Sequence, residues 1–423
     1  MQKFTIKSIE KKIRNEYSRQ NEFLQLIASE NLPSKAVYKA MQNVLLDYKT
    51  AEGYLGNRYH SGCQIIDEIE GIAIDKVKKL FDAQYSNVQP NSATIANQTA
   101  IAALSISAPK ILAMDIKCGG HISHSVRYSN THHYQVDKDS FLLDYDEIKK
   151  IAKKVRPNII IAGSSSYPRE IDFKKFRKIA DEVGAYLIAD IAHIAGLVAS
   201  GHHNSPINEA HITTASSYKT MKGPRSGFIL MGKDFQTDLK ENKLFKLVDR
   251  NLFPLTQGSP NVLDIAGKAI CFEESNSKKF KDYICDLLEN SSYLSTCLIE
   301  KGFEILTNGT DNHIVLVNLK NKKMTGHIAE SALEEVGISV NKNQIPFDEY
   351  SPLVSSGIRI GSQFITSRGM SKKEIPLIVD LIERTLNCIK PIDNYKYSKD
   401  SSSFKKLKKE VTALTEKFPI NFN

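Results

Sequence analysis

The chain of 423 residues is too long for one small domain, and at roughly 100–200 residues per domain we expect two or three. Hydrophobic residues make up 41% and charged residues 25%, which is the composition of a soluble globular protein with enough apolar mass for a core. The formal net charge of +9 does not by itself indicate nucleic acid, and an anionic small molecule would suit its sign equally well.

No part of the sequence indicates secretion or membrane insertion. Six cysteines are scattered without a Cys-x-x-Cys pair, which argues against a disulfide framework or a zinc finger and favours a reducing compartment. The N-terminal stretch mixes Lys, Arg and Glu without an apolar core, and no apolar run approaches the ~18–20 residues of a membrane span. We therefore expect a cytoplasmic protein, with an organellar form left open.

The first part of the chain is predicted to be helical on both sides of a loop. Residues 1–25 have the pattern of a polar helix lying as an arm on a larger body. The apolar residues of that helix are Phe4, Ile6, Ile9 and Ile13. A segment rich in glycine and tyrosine at 51–62 predicts a loop, and helical periodicity returns at 63–81.

The middle of the chain alternates short apolar runs with amphipathic segments. The apolar runs predict strands at 111–114, 159–162 and 186–189, and the segment 172–183 predicts one of the helices between them. Another helix is expected after Ser92. This alternation is typical of βαβ units and of a mostly parallel sheet.

The pattern changes after about residue 260. A long helical region is predicted at 262–291, followed by a smaller α/β pattern. The elements of that pattern are a strand at 314–319, a helix at 326–336, strands at 338–341 and 357–360, and a helix at 372–388. A polar, lysine-rich connector at 395–409 is predicted to precede a last helix.

These patterns predict an α/β protein in three parts. Residues 1–55 form an N-terminal arm, and residues 56–268 form a large domain around the mostly parallel sheet. Residues 269–423 form a small C-terminal α/β domain. We find no internal repeat in the sequence.

Two polar residues are of interest because each follows an apolar segment. Asp190 would lie at the C-terminal edge of a parallel strand, where ligands bind in open α/β sheets. Lys219 follows 29 positions later, before Gly223-Pro224-Arg225. Each has an ordinary interpretation, as a capping carboxylate or a solvated lysine. Together they match the minimum that pyridoxal phosphate requires, an amine for its aldehyde and a carboxylate for its ring nitrogen.

A phosphate group would need a site of its own. Ser92, Ala93 and Thr94 come just before a helix expected to begin near Ile95, where hydroxyl and amide groups can hold a phosphate, although the same pattern is also an ordinary N-cap. Neither a G-x-G-x-x-G motif nor a P-loop is present, which disfavours a nucleotide-binding fold. His121 and His124 have a metal-like spacing without a third ligand nearby, so we predict no metal site.

Segments from nearly the whole chain together resemble the serine hydroxymethyltransferase family. They occur in the order of that family and include LIASENLPS, AEGYLGNRY, GGHISH, GAYLIADIAHIAG, KTMKGPRSG and SGIRIG. The resemblance implies the fold-type I pyridoxal phosphate fold, with a large domain on a mostly parallel, seven-stranded sheet and a smaller C-terminal α/β domain. It also implies a homodimer or a dimer of dimers whose active sites are built from two subunits.

The resemblance assigns roles to individual positions. Lys219 matches the lysine that holds pyridoxal phosphate covalently, Asp190 the carboxylate that faces the pyridine nitrogen, and His121 the imidazole stacked on the ring. Glu52 matches the acid that shuttles protons on the substrate hydroxyl. The other cofactor positions are Ser92, Ala93, Thr94, Ser165, His193, Ser216 and, from the neighbouring subunit, Gly258. The substrate positions are Ser29, Tyr59, His60 and Arg359, which grips the carboxylate. The folate positions are Tyr59, Gly119, Gly120, Ile122 and Asn343.

Several positions depart from the pattern of the family, mostly at the phosphate site or at the boundary between subunits. These positions are Thr50, His60, Ala93, Tyr218, Ser259 and Phe364. The catalytic set of Lys219, Asp190, Glu52 and Arg359 is retained. The departures therefore concern cofactor retention and the shape of the substrate pocket more than the reaction class.

We predict the interconversion of serine and glycine, with pyridoxal phosphate as cofactor and transfer of the hydroxymethyl carbon to tetrahydrofolate. A first alternative is a folate-independent aldolase or transaldolase on threonine-like β-hydroxy amino acids, motivated by His60 and Phe364. A second alternative is a non-catalytic paralogue that acts as a structural or RNA-binding subunit. The changes at the subunit boundary and the lysine-rich run 405–409 motivate this second alternative.

Overall fold

The computed structural model describes residues 5–105, 108–239 and 241–422 and groups the chain into two compact units. The sheet unit is Asn31–Cys285, and the C-terminal unit combines Met1–Glu30 with Asp286–Asn423. The domain boundaries expected after residues 55 and 268 remain a prediction. Phe4, expected on the first helix, lies outside the described residues.

The helices and strands of the described residues are numbered in chain order. The α-helices are α1 (Ile6–Glu22), α2 (Lys35–Ala40), α3 (Val44–Asp47), α4 (Gln64–Phe81), α5 (Ala93–Leu104), α6 (Tyr145–Val155), α7 (Phe173–Val183), α8 (Ala195–Ala199), α9 (Leu244–Arg250), α10 (Val262–Ser275), α11 (Lys278–Glu300), α12 (Gly326–Glu335), α13 (Gln363–Ser367), α14 (Ile375–Asn387) and α15 (Ser401–Thr415). The strands are β1 (Leu24–Gln25), β2 (Gly53–Tyr54), β3 (Asn57–Arg58), β4 (Tyr85–Asn87), β5 (Ile111–Met114), β6 (Thr131–Tyr134), β7 (Ile159–Gly163), β8 (Tyr186–Asp190), β9 (Ile212–Ser216), β10 (Gly227–Met231), β11 (Asp238–Leu239), β12 (Asn242–Lys243), β13 (Glu304–Ile305), β14 (Ile314–Asn318), β15 (Ile338–Ser339), β16 (Asn341–Asn343), β17 (Gly357–Gly361), β18 (Ile389–Pro391) and β19 (Tyr397–Lys399).

The sheet unit is built around a seven-stranded sheet with the strand order β4-β10-β9-β8-β7-β5-β6. Strands β9, β8, β7, β5 and β6 pair in parallel, whereas β10 is antiparallel to both of its neighbours. The three strands predicted in the middle of the chain are confirmed as β5, β7 and β8. Their residues are buried almost throughout, and continuous apolar runs are typical of parallel strands that are covered on both faces.

Capping residues set the ends of the helices in this unit. Asp172 accepts a hydrogen bond from the amide of Lys175 at the start of α7, which confirms the helix predicted at 172–183. The helix ends at Gly184, whose φ of 70° is left-handed. The apolar residues of α7 that are buried are Phe173, Phe176, Ile179 and Ala180.

The C-terminal unit contains a second, antiparallel sheet with the order β13-β14-β17-β16. Strands β14 and β17 and helix α12 confirm the elements predicted at 314–319, 357–360 and 326–336. The segment after α1 joins this unit because β1 pairs in parallel with β15, with Leu24 opposite Ile338. Leu24 and Leu26 are fully buried in the core formed by these elements.

The long helical region predicted at 262–291 is confirmed, but it consists of two helices, since α10 ends at Ser275 and α11 begins at Lys278. Ser277 accepts a hydrogen bond from the amide of Phe280 at 3.2 Å, so a serine N-cap starts a new helix. The helical periodicity continues across the break, which is why the sequence pattern did not reveal it.

The predicted connector at 395–409 is wrong for most of its length, because α15 begins at Ser401. Asp400 caps this helix by accepting hydrogen bonds from the amides of Ser402 and Ser403. The side chains that α15 buries are Phe404, Leu407, Val411, Leu414 and Thr415. The lysines of this segment lie between those buried positions and concealed the helical pattern.

Helix α1 confirms the predicted N-terminal helix, but its apolar residues are exposed in this chain. The exposed fractions are 77% for Ile6, 53% for Ile9 and 65% for Ile13. None of the helices in the described part of the chain combines the length and apolar character that crossing a membrane requires.

Candidate active site

Polar residues follow the carboxyl ends of three neighbouring parallel strands. Strands β7, β8 and β9 end at Gly163, Asp190 and Ser216, and Gly163 lies directly opposite Asp190. Because parallel strands end at one edge of a sheet, the segments that follow them converge there. A cavity of about 270 Å³ lies at this edge. It is lined by Asn91, Ser92, Ala93, Thr94, His121, Ser164, Ser165, Asp190, Ala192, His193, Tyr218, Lys219 and Arg225.

The carboxylate of Asp190 is buried and receives three hydrogen bonds. Asn97 Nδ2 and His124 Nε2 donate to Oδ2 at 2.7 and 2.8 Å, and the amide of Ala192 donates to Oδ1 at 2.9 Å. Burial alone would raise the pKa of Asp190, but the hydrogen bond from His124 and the charges of the two nearby imidazoles hold it well below its usual value. The carboxylate is therefore ionised, with its charge held in one orientation.

Asn97 and His124 are site residues whose roles the sequence analysis missed. In the sequence, the spacing of His124 to His121 indicates no role other than metal binding. Among the described residues, no cluster of three or more His, Cys, Asp or Glu has the arrangement of a metal site. His124 instead orients Asp190. Asn97 lies within α5, where only its position one turn after the expected phosphate residues gave any sequence signal.

The backbone around Lys219 is held by neighbouring polar groups. Asn31 Nδ2 donates to the carbonyl oxygen of Lys219 at 2.6 Å, and the amide of Gly223 donates to the carbonyl oxygen of Ser217 at 2.7 Å. The side chain of Arg225 lies over the ring of Tyr218, with its guanidinium carbon 4.4 Å from the ring centre. Lys219 is only 7% exposed and lies in the same cavity as Asp190.

Helix α5 begins at the cavity, at the residues predicted to hold a phosphate. Ser92 is its N-cap and accepts a hydrogen bond from the amide of Ile95 at 3.1 Å. The first amides of a helix have no partner within the helix and carry partial positive charge. Ser92, Ala93 and Thr94 therefore offer an anion site within a cavity that also contains Lys219.

His121 and the glycines before it form the other wall. His121 Nδ1 accepts a hydrogen bond from the amide of Ser123 at 3.2 Å, which fixes the imidazole ring. Gly119 has a φ of +107°, and its carbonyl oxygen accepts hydrogen bonds from the amide of Ser165 and the hydroxyl of Ser164. Ser165 lines the cavity, whereas Ile122 is 60% exposed.

Other predicted residues of the sheet unit are not among those that line the cavity. Glu52 lies just before the β2–β3 hairpin and Tyr59 and His60 lie just after it, and a Cβ on Gly258 would lie 3.9 Å from Glu52 Oε1. Ser216 is buried, and its hydroxyl donates to the carbonyl oxygen of Ala192 at 2.8 Å. Ser216 thus supports the segment before His193 from behind the cavity.

Three predicted residues belong to the C-terminal unit. Arg359 lies on β17, and its Nε donates to Asn341 Oδ1 at 3.1 Å. Asn343 lies on β16 and donates to the carbonyl oxygen of Gln344 at 2.6 Å. Ser29 follows β1 in a segment held by Gln363, whose Nε2 donates to the carbonyl oxygens of residues 27 and 30 at 2.8 and 2.7 Å.

Comparison with known proteins gives a consistent result over almost the whole chain. The family model described as serine hydroxymethyltransferase matches residues 4–382. The chain is 48% identical over 418 residues to the serine hydroxymethyltransferase of Borreliella burgdorferi, which covers 96% of this chain and 98% of that protein. Proteins of the same name from Borrelia garinii subsp. bavariensis and Borrelia duttonii are 47% and 46% identical with the same coverage. The chain belongs to the serine hydroxymethyltransferase family.

Proposed function

We propose that the cavity at the carboxyl edge of the seven-stranded sheet is where this chain interconverts serine and glycine and transfers the hydroxymethyl carbon to tetrahydrofolate. The observation that carries the proposal is that Lys219 and Asp190 line the same cavity. The volume of about 270 Å³ is close to the lower end of the ~300–1,000 Å³ typical of ligand pockets.

The residues of the cavity fit pyridoxal phosphate, the cofactor on which this family depends. Asp190 is ionised and anchored by three donors, which suits a carboxylate that holds a proton on the ring nitrogen. The start of α5 at Ser92 suits the phosphate. Lys219 supplies the amine for a covalent bond to the aldehyde. We assign Ala93, Thr94, His121, Ser165 and His193 to the rest of the cofactor site, with Ser216 behind it.

The role proposed for each residue follows from the chemistry of its side chain. When bound, pyridoxal phosphate supplies a ring that withdraws electrons and stabilises negative charge on the α-carbon of the substrate. Arg359 binds the substrate carboxylate through its planar guanidinium and thereby sets the orientation of the bond to be broken. Glu52 moves a proton on the substrate hydroxyl. We assign Ser29, Tyr59 and His60 to substrate binding, and Tyr59, Gly119, Gly120, Ile122 and Asn343 to folate binding.

We further propose a homodimer in which Glu52 and Gly258 act in the cavity of the partner. Glu52 is close to Gly258 but does not line the cavity of its own chain. Large apolar side chains in the chain segments before and after the β2–β3 hairpin are exposed, which is typical of a surface that a partner covers. These residues are Val44 (60%), Leu45 (82%), Tyr48 (79%), Tyr59 (76%), Ile65 (63%) and Ile72 (52%).

Mixed dimers test whether Glu52 acts across subunits. We expect Glu52→Gln and Lys219→Ala to be inactive separately and to recover about a quarter of the wild-type activity after random reassociation, because half of the dimers then have one complete site. No recovery, with reassociation confirmed by a tagged subunit, would place Glu52 in the site of its own chain.

The cavity itself is tested by cofactor absorption and by serine cleavage. Purified protein with pyridoxal phosphate should show the visible absorption of a lysine-bound cofactor and should cleave serine when tetrahydrofolate is present. Lys219→Ala should lose both properties, and the exposed control Lys233→Ala should keep both. Retained visible absorption in Lys219→Ala would contradict the assignment of the lysine.

The two alternative functions are not favoured, because the relatives that match nearly the full length carry the name serine hydroxymethyltransferase. The chain therefore acts as a one-carbon transferase. Because His60 and Phe364 depart from the pattern of the family, the cleavage rates of serine and threonine should still be compared. We expect folate-dependent cleavage of serine to exceed folate-independent cleavage of threonine.

A further inference from the structure

A buried lysine outside the cavity makes hydrogen bonds to the segments that form it. Lys268 lies on α10 and is fully buried. Its Nζ donates to the carbonyl oxygen of Val88, to Ser226 Oγ at 2.7 Å and to the carbonyl oxygen of Gly227 at 3.0 Å. These three bonds use the full donor capacity of an ammonium group.

The three acceptors belong to two segments that meet at the start of α5. Val88 lies just before Pro90, in the turn that leads to Ser92. From the other segment, the hydroxyl of Ser226 and the amide of Gly227 both donate to the carbonyl oxygen of Pro90, at 2.9 and 3.0 Å. Ser226 thus accepts from Lys268 and donates to Pro90, so its hydroxyl joins the ammonium directly to the turn.

The backbones of these two segments are in close contact at Gly227 and Ser92. A Cβ on Gly227 would lie 2.4 Å from the backbone of Ser92, so the strand can approach the turn this closely only as glycine. The turn is also held from the other side, where Gln257 Oε1 accepts from the amide of Asn91 at 3.1 Å and Gln257 Nε2 donates to the carbonyl oxygen of Gln89 at 2.8 Å.

An ammonium group in this position is costly. Burial lowers the pKa of Lys268 to about 8, although the charges of Asp264 and Glu70 oppose that shift. An apolar side chain of similar length would fill the same space on α10 without the cost of removing a charge from water. The ammonium is therefore better explained by what its three hydrogen bonds hold in place than by core packing.

We propose that Lys268 is a positioning residue for phosphate binding, because its ammonium fixes the turn at Val88–Pro90 against Ser226–Gly227 and thereby aims the first amides of α5 into the cavity. The inference rests on the proposed function, since it requires the phosphate of pyridoxal phosphate to bind at the start of α5. Lys268 does not itself line the cavity of the described chain.

Pyridoxal, which lacks the phosphate, separates this role from a general contribution to folding. The dissociation constants of pyridoxal phosphate and of pyridoxal are measured for the apoprotein, and their ratio reports the phosphate contribution alone. We expect Lys268→Met to lower the preference for pyridoxal phosphate by about tenfold or more, because the amides lose their alignment with a charged group. Ser226→Ala should lower it by less, since it removes one of the three acceptors.

Ile265→Ala is the matched control, because Ile265 is buried on the same helix but has no part in these hydrogen bonds. This variant should lower the melting temperature and keep the wild-type preference. The inference is overturned if Lys268→Met and Ser226→Ala both keep that preference. If Lys268→Met does not fold, Ser226→Ala decides alone. A wild-type protein that binds both compounds equally would instead contradict the proposed cofactor site.

Discussion

Asn97 donates to Asp190 Oδ2 at 2.7 Å across 93 positions of the chain and so joins α5 to the end of β8. Thr214 Oγ1 donates to Asn97 Oδ1 at 2.5 Å, which orients the amide with its N–H groups towards the carboxylate. Helix α5 also begins at Ser92, where we place the phosphate. One rigid helix therefore relates the two ends of the proposed cofactor site.

The link between Asn97 and Asp190 predicts a graded loss of activity. Asn97→Ala removes one hydrogen bond to a charged group, which is worth about 1.5–3 kcal/mol, and should lower kcat/KM for serine by about tenfold or more. Asp190→Asn removes the charge itself and should lower it by about a hundredfold or more. Thr214→Val, which leaves Asn97 in place, should have the smallest effect. Wild-type kinetics in Asn97→Ala would show that the remaining donors suffice.

The sequence predicted the strand ends better than the contacts between side chains. Asp190 and Lys219 could be identified because apolar runs predict strands, and because parallel strands place their carboxyl ends at one edge. The fold-type I expectation is confirmed, since the chain belongs to that family and contains the seven-stranded, mostly parallel sheet. The bond from Asn97 to Asp190 has no such signal, because periodicity describes one element and not the residue it meets 93 positions away.

The position of Glu52 depends on a buried ion pair that the sequence also did not reveal. Arg58 Nη1 donates to the carbonyl oxygens of Ala51 and Gly53, at 2.9 and 2.7 Å, on both sides of Glu52. Arg58 also pairs with Glu70, and the two side chains are 4% and 2% exposed. Arg58→Met should lower the free energy of unfolding by about 3–5 kcal/mol, because Glu70 keeps a buried charge without its partner.

The double variant Arg58→Met/Glu70→Met separates stability from positioning. Replacing both partners removes the unpaired charge, so we expect it to be more stable than Arg58→Met alone in urea unfolding followed by circular dichroism. Serine cleavage should stay low in both variants, because the carbonyl oxygens beside Glu52 have lost their donor. Full activity in the double variant would show that the hairpin holds Glu52 without Arg58.

Asp249 should make the stability of the sheet unit depend on pH. Its carboxylate accepts hydrogen bonds from Tyr85 and Asn87, yet burial raises its pKa from 3.8 to about 6. Between these two values the folded chain binds a proton that the unfolded chain has lost, so the free energy of unfolding falls as pH rises from about 4 to 6. The total decrease in the free energy of unfolding is about 3 kcal/mol, and it does not change further above about pH 6.

Asp249→Asn should remove this dependence, since asparagine still accepts from both donors and does not ionise. In urea unfolding at several pH values between 4 and 7, the free energy of unfolding of the variant should therefore increase relative to that of the wild type as pH rises. The exposed Asp282→Asn removes the same formal charge and serves as the control. Parallel pH profiles for wild type and Asp249→Asn would rule out a protonated Asp249 in the folded chain.

Arg368 should be the main polar anchor between the two ends of the C-terminal unit. Its guanidinium donates to the carbonyl oxygens of Asn21 and Phe23 at the end of α1, and to those of Thr415 and Phe418 at the end of α15, all at 2.7–2.9 Å. Burial lowers the pKa of Arg368 to about 10. Arg368→Met leaves one buried and three partly buried oxygens without this donor, so it should lower the free energy of unfolding by about 2–3 kcal/mol. It should also speed proteolysis near Phe23. The free energy of unfolding of Arg368→Lys should lie between those of the wild type and Arg368→Met, because one ammonium has too few donors for four acceptors.

Arg384→Met is the contrasting control, since that arginine forms a half-exposed ion pair with Glu410 worth about 0–1 kcal/mol. Equal losses of stability in Arg368→Met and Arg384→Met would contradict the role of Arg368.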